Sequence, residues 1–258
     1  MAFVKGEKGK LPYGIYSKKH NKLNTIFVFT WMGVYILFLL LIMRSKYFWL
    51  LLVLVTLIWF IVLGIAVMKV NPFNAAIRRA MDKLEIKEAL DDLFEIMKNN
   101  LHSQSRIFVQ IHCVNLLIDY DLDKAKMLFY SIQKPSEKSI KHIYYLVEMA
   151  LLNTLGEYEE VKIKLEEFRI YFPKMIKQYE SMKLALAIRS STNEIENIEL
   201  KHPINTKMKF LNVENAAGLA KYYYTRGKKE EGEKFANYVK ENGKNLERIY
   251  NVICEMYE

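Results

Sequence analysis

An apolar triplet with the offsets of one helical face recurs along the chain at a near-constant interval. Val161, Leu165 and Phe168 are echoed by Ala125, Phe129 and Ile132, by Ala89, Leu93 and Ile96, and by Gly232, Ala236 and Val239. The step is 36 residues from Ala89 to Ala125 and 36 again to Val161, while 71 residues, close to two steps, lead on to Gly232. A fixed period of this size marks a repeat architecture, in which each unit buries its apolar face only by stacking on its neighbours. At the skipped position stand Asn197, Lys201 and Ile204 with Pro203 between them, so a degenerate repeat or an irregular connection is expected there.

Upstream of each triplet lies a second helical pattern: Val109, Cys113, Leu116; Tyr145, Met149, Leu152, Gly156; and Ala216, Ala220, Tyr223, Gly227. Glycine after the last apolar residue suits a helix terminus, where the left-handed conformation costs it nothing. Each unit is therefore read as a helix, a tight turn and a second helix. Asn71-Pro72 marks where this region begins, because the residue before proline leaves helical geometry and proline suits a first turn. Apolar residues from there to Glu258 recur at three and four rather than two, which predicts helix throughout and no strand. The final segment places Leu246, Ile249, Tyr250, Ile253, Met256 and Tyr257 on one face, as a terminal helix covering the last core requires.

On these residues the region resembles the tetratricopeptide family, whose helical pair carries an aromatic, a small residue and a glycine in its first half and alanine, a large apolar residue and proline in its second. The matching positions are Tyr145, Met149, Leu152, Gly156, Val161, Leu165, Phe168 and Pro173, then Leu219, Ala220, Tyr223, Gly227, Gly232, Ala236 and Val239. The chain departs from the family in its longer period, in lacking the family's tryptophan and in closing only one repeat with proline. The resemblance implies a right-handed α-solenoid of helical hairpins whose first helices line a concave groove for a protein or peptide segment. On the matching positions it implies that Asn153, Arg189, Lys221 and Tyr224 are exposed in that groove, where an asparagine and a cation can bond peptide backbone or a carboxylate.

Two uncharged apolar runs precede the repeats, residues 26–43 and 48–68, each near the 20 or so residues that cross the hydrocarbon core. Arg44 to Tyr47 between them turn a hairpin but cannot hold a domain, and no small-residue cleavage site follows the first run. A transmembrane hairpin is expected over 25–68, behind a lysine-rich segment 1–24 and ahead of the helical domain 69–258. Six lysines precede the first span, and Lys69, Arg78, Arg79 and Lys83 follow the second. The positive-inside rule then places both termini in the cytoplasm, and a lysine-, isoleucine- and asparagine-rich composition suggests a bacterial plasma membrane. Within the spans only Thr30, Tyr35 and Thr56 carry side-chain polar atoms apart from the indoles of Trp31, Trp49 and Trp59, with Gly33 and Gly64 as close-packing points. That favours an anchor over a conduit.

The formal charge of +9 is concentrated beside the apolar runs, and residues 84–258 sum to −1. A near-neutral domain lacks the electrostatic footprint of nucleic-acid binding. His102, His112, His142 and His202 have no ligand spacing, and Cys113 and Cys254 neither a disulfide nor a metal pattern. Asp119, Asp121 and Asp123 imitate a calcium loop, but Lys124 and Tyr130 stand where its glycine and glutamate belong, so a turn and a helix N-cap are the better account. With no glycine-rich phosphate loop or nucleophile elbow, no catalytic, cofactor or metal site and no small-molecule substrate is expected. The all-α chain is therefore expected to be a membrane-anchored cytoplasmic scaffold, not an enzyme, that holds a protein or peptide partner beside the lipid bilayer. The alternative is an accessory subunit of a transport, secretion or envelope-synthesis complex, with its hairpin packed on partner helices.

Overall fold

The computed structural model describes residues 72–258 except 99–100, 102 and 191–194, together with scattered positions between 29 and 58. The expected spans over 26–43 and 48–68 lie largely outside the described residues, and among those described no helix is long and apolar enough to cross a membrane. The described regular structure is all helical, with no strand among these residues. From residue 72 on, Pro72 opens α1 (Pro72–Arg78), which runs into a π turn, Arg79–Lys83. There follow α2 (Ile86–Lys98), α3 (Ser103–Tyr120), α4 (Leu122–Ser131), α5 (Lys138–Leu155) and α6 (Tyr158–Tyr171). The chain continues with α7 (Ile176–Ser190), a single turn α8 (Ile198–Lys201), α9 (Lys209–Tyr224), α10 (Lys229–Asn242) and α11 (Glu247–Met256).

The turns between paired helices follow from individual residues. Asp121 alone separates α3 from α4, and its carboxylate accepts the Lys124 amide at 3.1 Å, satisfying one of the donors a helix start leaves open. Gly156 ends α5 at φ 84° with its amide bonded to the Leu152 carbonyl, a conformation that costs an L-residue about 1–2 kcal/mol. Gly227 stands in the turn between α9 and α10 at φ 72°, its amide bonded to the Tyr224 carbonyl. Gly232 serves proximity instead. A Cβ there would collide with the Tyr257 hydroxyl and approach the Tyr223 Cβ to 3.0 Å, and that hydroxyl donates to the Ala220 carbonyl at 2.7 Å. The small residue thus lets Tyr257 sit between α9 and α10 and tie them together.

The triplet residues are where the pairs meet. Ala89, Leu93, Ala125, Val161, Phe168, Ala236 and Val239 are fully enclosed, and all belong to one continuous apolar core. In place of a repeat at 197, the described residues from Ile195 to Met208 form an irregular connector around α8. Polar side chains of α9 hold it. Asn212 accepts from the Thr206 amide (2.8 Å) and hydroxyl (2.7 Å) and donates to the Thr206 carbonyl (3.0 Å), while Asn215 donates to the Pro203 carbonyl at 2.6 Å.

The first helices of the pairs form an inner layer that closes on itself. α3 packs on α5, α5 on α7, α7 on α9 and α9 on α11, and α11 returns to α3. Outside them, α4 covers α3, α6 covers α5 and α7, and α10 covers α9. α11 does cover the last pair, as its amphipathic sequence suggests, with Leu246 and Ile253 fully enclosed. Its contact with α3 is a second role, and it turns an array with two ends into a ring.

In the N-terminal part, the described positions around Tyr35 and Thr56 are helical. The Tyr35 hydroxyl and Thr56 Oγ1 lie 2.7 Å apart, and Thr56 also donates to the Leu52 carbonyl at 2.7 Å.

Candidate functional site

Six polar side chains are buried in the described core: Ser105, Asn115, Asp119, Asn153, Asn212 and Asn215. A buried polar group without a partner costs about 1–3 kcal/mol, so the partners of each say what it is for. Asn212 and Asn215 are accounted for by the connector. Asp119, the next-to-last residue of α3, accepts from Arg248 Nη2 at 3.0 Å, and Arg248 Nε donates to the Ile118 carbonyl at 2.5 Å. A cation at the end of α3 also opposes the negative pole of that helix. This clasp links positions 129 residues apart and closes the ring.

More charge gathers around it. Arg189, next-to-last in α7, donates to Thr154 Oγ1 near the end of α5 at 2.7 Å. Asp119, Arg248 and Glu214 lie within electrostatic reach of Arg189, which burial pulls below its ordinary value. Lys221 of α9 is half-buried among the same groups. Burial first, then the Arg189 and Arg248 guanidinium groups, pull its ammonium down to about 7. Burial also raises the Glu214 carboxyl, and nearby Asp119 adds to that. The C-terminal ends of α3, α5 and α7 and the inner face of α9 thus converge on three cations and two carboxyl groups.

Three of the four residues expected in an open groove are therefore covered. Asn153 is 4% exposed and its amide donates to the Ala185 carbonyl at 3.1 Å, joining α5 to α7. Arg189 is tied to Thr154, and Lys221 lies between arginines. Tyr224 is 40% exposed, its ring 5.6 Å from that of Tyr257 and 5.9 Å from the Lys229 ammonium, away from the charged cluster. The structure brings Arg189 and Lys221 together and leaves Tyr224 apart.

Asp119, Arg248, Glu214 and Asn115 were missed as site residues. One local signal was available: Asn115 and Asp119 stand four apart and interrupt the otherwise apolar face of α3. Arg248 and Glu214 carry no such signal, since each looks like an ordinary charge on an amphipathic helix. Of the three aspartates that imitate a calcium loop, Asp121 is the N-cap and Asp119 is the buried half of the clasp. Among the described residues no group of three or more histidine, cysteine, aspartate or glutamate side chains is arranged to hold a metal.

Two histidines give the domain a pH dependence. His112 packs edge-on against Phe73 (5.2 Å) and Phe108 (4.6 Å), and burial brings it down to about 4. Burial brings His202, whose Nε2 crowds Gly218, to about 3. In the unfolded chain both titrate near 6.5, so below that pH the unfolded state takes up protons the folded state refuses. Stability is thus full above pH 6.5 and falls on acidification, by up to about 1.4 kcal/mol per pH unit for each histidine. Urea denaturation between pH 7 and pH 5 is expected to show this decline, and His112→Gln to flatten part of it. A decline unchanged in His112→Gln would remove His112 from the account.

No protein-family model, no curated protein and no solved structure matches the chain.

Proposed function

We propose that the chain is a membrane-anchored scaffold with both termini in the cytoplasm, in which a two-span hairpin holds a tetratricopeptide-like helical domain beside the bilayer and that domain binds a protein or peptide partner. The observation that carries the anchor is the pairing of Tyr35 with Thr56 at 2.7 Å, flanked by outward apolar side chains. Phe29 is 65% exposed, Val53 59% and Leu57 58%. Two helices whose polar groups pair with each other while Phe, Val and Leu face outward suit hydrocarbon and would be an aggregation hazard in water. The partner surface of this reading is the helical domain, where Tyr224 is the member of the expected quartet open to contact.

The test is extraction and topology. The full chain is expected to stay in the membrane pellet through alkaline carbonate washing, with tags at both ends protected from protease in sealed right-side-out vesicles. Release by carbonate, or cleavage of either tag outside, would overturn the reading. The accessory-subunit alternative has one observation in its favour: among the described residues a Cβ at Gly33 would meet nothing within 4 Å, which suits close packing of another helix there. Replacing the native spans by an unrelated hairpin separates the two. Partners crosslinked in intact membranes are retained if the scaffold reading holds and lost if the spans themselves recruit them.

A further inference from the structure

The corner between α6 and α7 leaves large apolar side chains open to solvent. Ile170 is 76% exposed, Tyr171 51% and Ile176 65%. The bend that presents them is firmly built. Phe172 is enclosed against Phe168 and Tyr145, its amide donates to the Phe168 carbonyl at 2.8 Å, and the Met175 amide donates to the Phe172 carbonyl at 2.9 Å. The Tyr179 hydroxyl donates to Glu166 at 3.2 Å and the Arg169 guanidinium lies 5.6 Å from the Tyr179 ring, so the first turn of α7 is tied to the end of α6. From Arg169 to Tyr179 the sequence holds Arg169, Lys174 and Lys177 and no acid. All three cations are exposed, and the Lys141 ammonium of α5 stands 5.0 Å over the Tyr171 ring. Among the described residues none of these four forms an ion pair. Glu166 and Glu167 before the stretch are engaged by Tyr179 and, at 3.6 Å, by Lys164, and Glu180 follows it.

We propose that this corner is a second membrane contact, at which Ile170, Tyr171 and Ile176 enter the interface of an anionic bilayer and Arg169, Lys174, Lys177 and Lys141 meet its headgroups. Interleaved apolar and basic side chains suit such a surface. The apolar groups leave water for the acyl-chain boundary, while each cation stays at headgroup level with its alkyl stem along the apolar surface. Charge separates this corner from other exposed apolar residues. Ile163 stands among Glu159, Glu160, Glu166 and Glu167 against Lys162 and Lys164, and Leu200, 80% exposed, shares a hollow with Glu196, Glu199 and Glu231 against Lys228. Neither has the excess of positive charge that draws a surface to anionic lipid. An acidic protein segment would match the charge too, but the proposed anchor already holds the domain beside a bilayer, which makes the lipid contact intramolecular and its effective concentration high. The inference rests on the anchor reading for that reach and on the corner alone for its chemistry.

The experiment uses the full chain with Cys254→Ser and Ile170→Cys, carrying a polarity-sensitive dye at position 170. Cys113 is enclosed and burial pushes its thiol up to about 12, so it stays unlabelled. The chain is reconstituted into vesicles of phosphatidylcholine alone or with about one-third phosphatidylglycerol, and nitroxides on the acyl chains read, by quenching, whether the dye enters the bilayer. Quenching in the phosphatidylglycerol vesicles is expected to exceed that in phosphatidylcholine by about threefold, and to fall back in high salt and in the variant Lys174→Glu, Lys177→Glu. Both lysines are exposed, so that variant should keep the native Tm. The same dye at Leu200→Cys is the control and should stay unquenched in both vesicles. Flotation reads the anchor separately: a chain held by its spans floats with phosphatidylcholine whatever position 170 does, and a chain that floats with phosphatidylglycerol alone would remove the anchor and keep the corner contact. Equal quenching in the two vesicles, no quenching in either, as an acidic protein occupant would give, quenching retained in the double lysine variant, or equal quenching at position 200 would overturn the proposal.

Discussion

Asp119→Ala is expected to lower the stability of the helical domain by about 3–5 kcal/mol, the cost of breaking a buried ion pair and leaving one charge behind. Asp119 is 4% exposed and the Arg248 side chain 17%. Without the carboxylate, Arg248 remains beside Arg189 and Lys221 with no buried anion bonded to it. The clasp is a buried polar link of α11 to α3, so hydrogen exchange should rise most in those two helices. Urea denaturation followed by circular dichroism reads the loss. The double variant Asp119→Ala, Arg248→Met should recover much of it, since the stranded charge goes too. If the single variant loses less than about 1 kcal/mol, the pair is solvated and does not close the ring.

Phe168→Ala should cost a comparable amount, about 3–5 kcal/mol, by a different route. The ring of Phe168 is fully enclosed in α6, 5.0 Å from Phe172, with Val161 and Leu165 beside it on the same face. Truncation removes the transfer energy of the ring and leaves a cavity that Val161, held in a helix, cannot fill. Ile163 on the opposite face of α6 is 62% exposed. Ile163→Ala is the matched control and should fall within about 0.5 kcal/mol of the native chain. The two denaturation midpoints decide the matter, because equal midpoints would mean that the 36-residue triplet does not mark the packed face.

Much of the helical architecture was visible in the sequence because its causes are local. The three-and-four spacing selects helix, Gly156 and Gly227 supply the left-handed turns, Asp121 supplies an N-cap, and Pro203 with its polar neighbours breaks the pattern where the connector replaces a repeat. Each of these acts within a few residues, so periodicity and residue type are enough to find it. The burial of Asn153, Arg189 and Lys221 was not visible in that way. An open groove was expected from the matching repeat positions, and whether those positions face solvent depends on how far the inner layer curves.

That curvature is a sum of small packing angles, set by how closely each pair of helices approaches. Ala125, Gly232 and Ala236 allow close approach, but no single residue encodes the point at which α11 meets α3. The residues of the clasp are separated by 129 positions and are of types found on any solvated helix. From sequence came the helices, their pairing signals and the apolar runs ahead of them, since propensity, turn chemistry and hydrophobic period are short-range. The tertiary structure alone decided that the inner layer closes and that charges from distant helices share one buried place. A charge at a given position looks the same in sequence whether its neighbours are water or another helix, and only folding settles which.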